Sequence, residues 1–115
     1  MAVVDFTETQ KAAIVSLMIE MINVDNEVAP SECSEFNKIC VEYGIGDEIF
    51  SLGRSLNSLV ALDIMKRMSD VQKIVTAQLL VRVIDADAKD DDLEIKLFNV
   101  ICRETGVDVL VNAKS

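Results

Sequence analysis

At 115 residues, half of them apolar, the chain is long enough for one domain with a buried core, which excludes a disordered or fibrous protein. Its 20 acidic residues against 11 basic ones give a net charge of −9, which argues against nucleic-acid and anionic-membrane binding and favours cations or basic partners. The absence of histidine excludes His-based catalytic triads and the usual zinc ligand sets. A charge of this size also serves solubility alone.

Helix start signals predict the first two elements of the chain. The segment from Thr7 to Gln10 is a capping box that opens a helix running to about Val24. This helix is apolar nearly all round, which is typical of a central helix. Pro30 suits the first position of a second helix, and it places Glu32 in the first turn. Gly44 predicts the end of that helix, because a left-handed backbone costs glycine little.

The middle of the chain predicts two further, shorter helices and no strand. Residues 47–53 form the first of these, and the second begins at about Ser58. The second carries apolar residues at helical spacing, namely Leu59, Leu62, Met65 and Met68.

The last third of the chain repeats the pattern of the first. A second capping box, from Ser69 to Gln72, opens a long and nearly all-apolar helix that extends through Ile84. Asp91 then caps a helix that ends at Gly106, and residues 107–111 add a last turn. The sequence therefore predicts an all-α, compact bundle of about five to seven helices in a single domain, residues 1–115.

An internal repeat underlies this pattern. When the sequence is shifted by 62 residues, 22–45 lies on 84–107, and nine of the 24 positions are identical. The identical residues in the first copy are Ile22, Asp25, Glu32, Phe36, Asn37, Ile39, Cys40, Glu42 and Gly44. One supersecondary unit, a helix–acidic loop–helix, is thus used twice.

Each acidic loop places an Asp and a Glu seven residues apart, Asp25 with Glu32 and Asp87 with Glu94. Carboxylates without His or thiolate neighbours suit a hard cation, so these four residues are the predicted ligands of a divalent ion, Ca²⁺ or Mg²⁺. Neither loop fits an EF-hand in the position of its glycine or its final Glu. The alternative is structural, since a Glu in the first turn completes a capping box and each Asp can form an Asx-turn.

The cysteines and the termini indicate a cytoplasmic protein. Cys33, Cys40 and Cys102 form an odd set without a CxxC motif, which predicts reduced thiols. The N-terminus lacks the pattern of a signal peptide, and the most apolar stretch, residues 12–22, is too short to insert into a membrane.

Both copies resemble the TerB-like family, the helical fold of the tellurite-resistance protein TerB. The resemblance rests on an apolar helix that ends in Asp25-Asn26, a Pro30-Ser31-Glu32 helix start, and a following Phe36, Ile39 and Gly44; residues 83–107 repeat it. It implies an all-α, non-enzymatic domain of bacterial stress response, in which the four carboxylates bind metal in some members. It also implies a protein partner, often a membrane protein or a chaperone.

Three departures from the family pattern weaken the expectation of a metal site. The usual Asp-Gly is replaced by Asn26 in one loop and Ala88 in the other, and Lys89 brings an ammonium that would compete with a cation. We therefore expect weak affinity for any ion.

Two other functions are compatible with a small acidic helical protein. A purely protein-binding adaptor would use an exposed apolar groove and no metal. An acyl-carrier-like protein would need a serine after an Asp for its prosthetic group, but Ser55 follows Arg54. No nucleophile with an activating base is recognisable, so we expect no enzymatic activity.

Overall fold

The computed structural model of the chain describes residues 4–24, 29–86 and 92–112. Within these ranges it contains seven helices and no strand, which confirms the predicted all-α bundle. In chain order the helices are α1 (Glu8–Asn23), α2 (Pro30–Glu42), α3 (Asp47–Ser55), α4 (Ser58–Lys66), α5 (Asp70–Ala86), α6 (Asp92–Thr105) and α7 (Val107–Asn112). We call α1 with α2 the first repeat and α5 with α6 the second repeat.

Helix α1 is the centre of the bundle, as its apolar pattern predicts. Every residue from Ala12 to Met18 is buried, because α3, α4, α5 and α6 all pack against α1. The described part of the chain measures 34 × 32 × 31 Å along its principal axes. None of the described helices is long and apolar enough to cross a lipid bilayer.

The two predicted capping boxes are present, and they meet each other. Thr7 Oγ1 accepts from the amide of Gln10, and Ser69 Oγ accepts from the amide of Gln72, each at 3.1 Å. The side-chain amides of Gln10 and Gln72, which are equivalent in the repeat, then exchange hydrogen bonds of 3.0 and 3.4 Å. This pair holds the N-termini of α1 and α5 together, so the sequence repeat is also a structural one.

The ends of the helices follow the predicted glycines. Gly44 and Gly106 have φ values of 65° and 87°, the left-handed conformation that a side chain would strain. Pro30 is the first residue of α2. The predicted cap Asp91 lies outside the described residues, whereas residues 107–112 form α7.

Helix α5 is less central than its sequence predicts. It buries Ala77, Leu80 and Val83, but its side chain at Val81 is 36% exposed. Helices α1, α2, α6 and α7 all pack on α5, but α7 has only six residues, whereas α3, its equivalent beside α1, has nine. In α4, Leu59 is likewise 73% exposed, because this helix buries Ala61 and Met65 instead.

Candidate functional site

The predicted metal ligands divide into two that the structure describes and two that it does not. Asp25 and Asp87 lie outside the described residues. Glu32 and Glu94 lie in the first turns of α2 and α6, at the helix positions that the sequence predicts.

Both glutamates are buried rather than displayed on the acidic surface. Their exposed fractions are 0% for Glu32 and 1% for Glu94. One carboxylate oxygen of Glu32 accepts from the backbone amide of Ala29 at 3.4 Å, which supports the capping alternative for this residue. Neither glutamate is without an interaction partner. Because a buried carboxylate is costly unless polar groups compensate it, both side chains are part of the internal structure of their repeats.

No cluster of metal-binding side chains is present in the part of the chain that the structure describes. Within residues 4–24, 29–86 and 92–112, no three Asp, Glu, Cys or His residues come together in a way that could hold an ion. A cation site built on Glu32 or Glu94 therefore depends on carboxylates such as Asp25 and Asp87.

An arginine ties the second repeat to the first at the interface between α5 and α2. Arg82 Nε donates to Glu35 at 2.8 Å, and Arg82 Nη1 donates to Glu42 at 2.7 Å. The hydrogen bond from Arg82 is the main reason that the pKa of the Glu42 carboxyl is lowered, and the nearby positive charges add to it. The position equivalent to Arg82 in α1 is Glu20, which cannot form the same tie to Glu104 of α6.

One asymmetry between the repeats is an open apolar groove on the second one. It has a volume of about 480 Å³ and lies between α5, α6 and α7. We call it the second-repeat groove; the residues that define it are Ile74, Ala77, Gln78 and Val81 of α5, Phe98, Asn99 and Cys102 of α6, and Val107, Asp108 and Val111 of α7.

The α5 wall of this groove is the exact repeat equivalent of a buried face of α1. Subtracting 62 from its four positions gives Ala12, Val15, Ser16 and Ile19. On α1 this face is covered by α3, whose Gly53 lies so close that a Cβ there would be 2.6 Å from the Val15 Cβ. Ser16 also donates to the carbonyl oxygen of Leu56 at 3.4 Å. The same surface is thus filled in the first repeat and open in the second.

The equivalent phenylalanines show the same contrast. Phe36 of α2 is buried and packs on Phe50 of α3, with ring centroids 5.7 Å apart. Phe98 of α6 is only partly buried and lines the groove. The register position equivalent to Phe50 is Asn112, the last residue of α7.

The thiol in the groove is not set up for nucleophilic chemistry. Burial raises the pKa of the Cys102 thiol, and the nearby Asp108 carboxylate raises it further. Burial also raises the pKa of Cys40, the equivalent residue in the first repeat. A raised thiol pKa disfavours the reactive thiolate at neutral pH.

The position of the groove was missed by sequence reasoning, although an apolar groove was one expected feature of an adaptor. Ile74, Ala77 and Val81 read as core positions, because their spacing matches that of the buried face of α1. Only the packing shows which of the two faces stays open: α3 covers α1 with nine residues, whereas α7, its equivalent in the second repeat, has six.

Comparison with known proteins supports the fold alone. No family model matches the chain, and no curated protein matches it significantly. The chain is similar to the crystal structure of a protein of unknown function, PG1108, from Porphyromonas gingivalis W83. The two have a TM-score of 0.78 and 22% sequence identity, over 90% of this chain and 88% of that one.

Proposed function

We propose that this protein is a non-enzymatic interaction module of the TerB-like type, which binds a partner protein through the second-repeat groove. The observation that carries the proposal is the groove itself, an apolar surface of about 480 Å³ whose counterpart on the first repeat is covered by a helix. An exposed apolar surface rimmed by polar residues is typical of a protein-binding site.

The chemistry of the groove favours binding over catalysis. Its lining is mainly aliphatic and aromatic, with Gln78, Asn99 and Asp108 as polar members. The thiol of Cys102 has a raised pKa, and the sequence contains no histidine to activate it. Side chains of this kind provide apolar contact and a few hydrogen bonds, which is what recognition of a partner needs.

The biological setting of the proposal comes from the resemblance to TerB-like proteins. It comprises a cytoplasmic location and a bacterial stress response that includes tellurite resistance. Two helix–acidic loop–helix repeats inside one all-α bundle support this assignment, together with the net charge of −9.

The test is site-specific photo-crosslinking in the cells that make the protein. A photoreactive phenylalanine is introduced at Val111, which is 56% exposed beside the groove, and as a matched control at Val41, which is exposed on α2. We expect a discrete crosslinked partner from position 111 and none from position 41. Partners captured equally at both positions, or at neither, would contradict the proposal.

A second function, cation binding at the acidic loops, is supported by one observation. Glu32 and Glu94 are buried at equivalent positions, each next to an acidic loop, so both repeats hold a carboxylate at the same point of the frame. A native-state ion site raises the melting temperature as the ion concentration rises. We expect a small rise with millimolar Ca²⁺ or Mg²⁺ that is lost in the variants Asp25→Asn and Asp87→Asn.

A flat melting temperature would remove the cation proposal if NMR resonances of Asp25 and Asp87 also stayed unchanged during a metal titration. The groove proposal is independent of this result, because it rests on the described lining residues of α5, α6 and α7.

A further inference from the structure

The first repeat shows what kind of element fits the second-repeat groove. The face of α1 that is equivalent to the α5 wall is covered by α3, a helix of nine residues. Contact is close because Gly53 of α3 has no side chain between the two backbones. A helix laid along α5 would therefore use a surface geometry that this chain already uses once.

The floor of the groove accepts a larger side chain than the first repeat does. Val15, which meets Gly53 on α1, is replaced at the equivalent position of α5 by Ala77. The smaller side chain leaves room for an apolar residue of the incoming helix in place of glycine. Ile74 and Val81 bound this position along α5 and are seven residues apart, about two helical turns or 10 Å.

The negative charge of this protein indicates which kind of helix would bind in the groove. The chain carries a net charge of −9, and among the described residues that line the groove Asp108 is the only charged one. A second copy of the chain also has a net charge of −9 and would be repelled, whereas a basic helix would be attracted.

We propose that the second-repeat groove binds an amphipathic helix of a partner protein, with basic residues beside its apolar face. This inference rests on the proposed function and names the class of partner. The apolar face lies against Ile74, Ala77 and Val81, and one basic side chain of the helix lies near Asp108. Binding of this kind weakens as salt screens the charges.

The first experiment measures binding of synthetic peptides by fluorescence anisotropy. The probe is a helical peptide of about four turns, roughly 16 residues, with Leu and Ala on one face and Lys on the other. One control has the same composition in an order that destroys the apolar face, and a second has Glu in place of Lys. We expect saturable binding of the probe, and affinity at least about tenfold lower for both controls, which corresponds to about 1.4 kcal/mol.

Variants that leave the net charge unchanged distinguish binding in the groove from nonspecific electrostatic binding of the peptide. Val81→Gln and Val111→Gln should each lower the affinity for the probe peptide about three- to tenfold, since they place a polar group where the apolar face of the peptide binds. Leu59→Gln is the matched control, because Leu59 is an exposed apolar residue on α4, outside the groove. Asp108→Asn should weaken the Lys probe and reduce its salt dependence, while Glu48→Gln on α3 should not.

The remaining outcomes overturn the inference in distinguishable ways. Equal binding of the Glu peptide, or equal loss in Leu59→Gln and Val81→Gln, excludes a basic helix in the groove. A dimer in sedimentation velocity that dissociates in Val111→Gln makes a second copy the occupant instead. Crosslinking of a partner at position 111 without probe binding overturns this inference and leaves the proposed function standing.

Discussion

The two repeats of this protein share a frame and differ in what covers it. In the first repeat, α1 is enclosed by α3 and α4, and Ala12 to Met18 are all buried. In the second, the equivalent face of α5 borders an open groove of about 480 Å³. The positions that the repeats share maintain the core and the helix ends, whereas the surface that one repeat leaves open is available for recognition. Repetition in the sequence is thus evidence of architecture, and the departure from it marks the candidate site.

The largest expected loss of stability comes from replacing the two equivalent phenylalanines, Phe36 and Phe98, by alanine. Phe36→Ala should lower the free energy of unfolding by about 3–5 kcal/mol, because the ring is buried against Phe50. Phe98→Ala should cost clearly less, about 1–2 kcal/mol, since this ring is partly exposed in the groove. Urea denaturation of both variants measures the difference. Equal losses would mean that the groove is filled in the free protein.

Adding a side chain at the close contact between α1 and α3 should cause the next largest loss of stability. Gly53→Ala would put a Cβ 2.6 Å from the Val15 Cβ and 2.8 Å from the carbonyl oxygen of Ala12, so we expect a loss of about 1–3 kcal/mol. The matched control is Gly46→Ala, where nothing lies within 4 Å of the added atom. Thermal melts compare the two. A Gly53→Ala variant as stable as the control would contradict the close packing of α3 on α1.

The smallest effect concerns the ion pair between Arg82 of the second repeat and Glu42 of the first, which has no counterpart between Glu20 and Glu104. The pKa of Glu42 is lower in the folded than in the unfolded protein. Its ionised carboxylate therefore adds to the free energy of unfolding above the unfolded pKa of about 4.3, and this stabilisation is lost as the pH falls through the folded pKa. Glu42 is half exposed, so we expect Glu42→Gln to cost about 0.5 kcal/mol or less at neutral pH.

The control for this pH dependence is Glu104→Gln, the equivalent residue on α6. Position 20, which is equivalent to Arg82, is a glutamate, so this variant removes a carboxylate without removing an arginine contact. The stability deficit of Glu42→Gln should shrink as the solution is acidified below about pH 4. A deficit that stays constant across the acid range would show that the Arg82 contact does not carry the effect.

Much of the fold was predictable from the sequence because local chemistry decides it. The capping boxes at Thr7 and Ser69, Pro30 at a helix start, and the glycines at positions 44 and 106 mark the helix ends, and the structure has each of them. Local signals of this kind depend on the few residues around them, so they survive without knowledge of the tertiary structure.

The candidate site was less predictable because it depends on packing between distant elements. The sequence placed Glu32 and Glu94 in the first turns of the helices that follow the acidic loops, but a first-turn position does not reveal that both side chains are buried. Val81 repeats the apolar character of Ile19, yet it borders the groove because α3 packs on α1 and not on α5. Periodicity identifies an apolar face, but it does not identify the element that covers the face.

The most direct test is a methyl NMR titration of the whole protein with the Lys-containing amphipathic peptide. We predict that the methyl resonances of Ile74, Val81 and Val111 shift together and saturate, while those of Val15 and Ile19, on the covered face of α1, stay in place. The absence of shifts at the three groove residues, or equal shifts on both faces, would contradict the claim that the second repeat alone carries the binding surface.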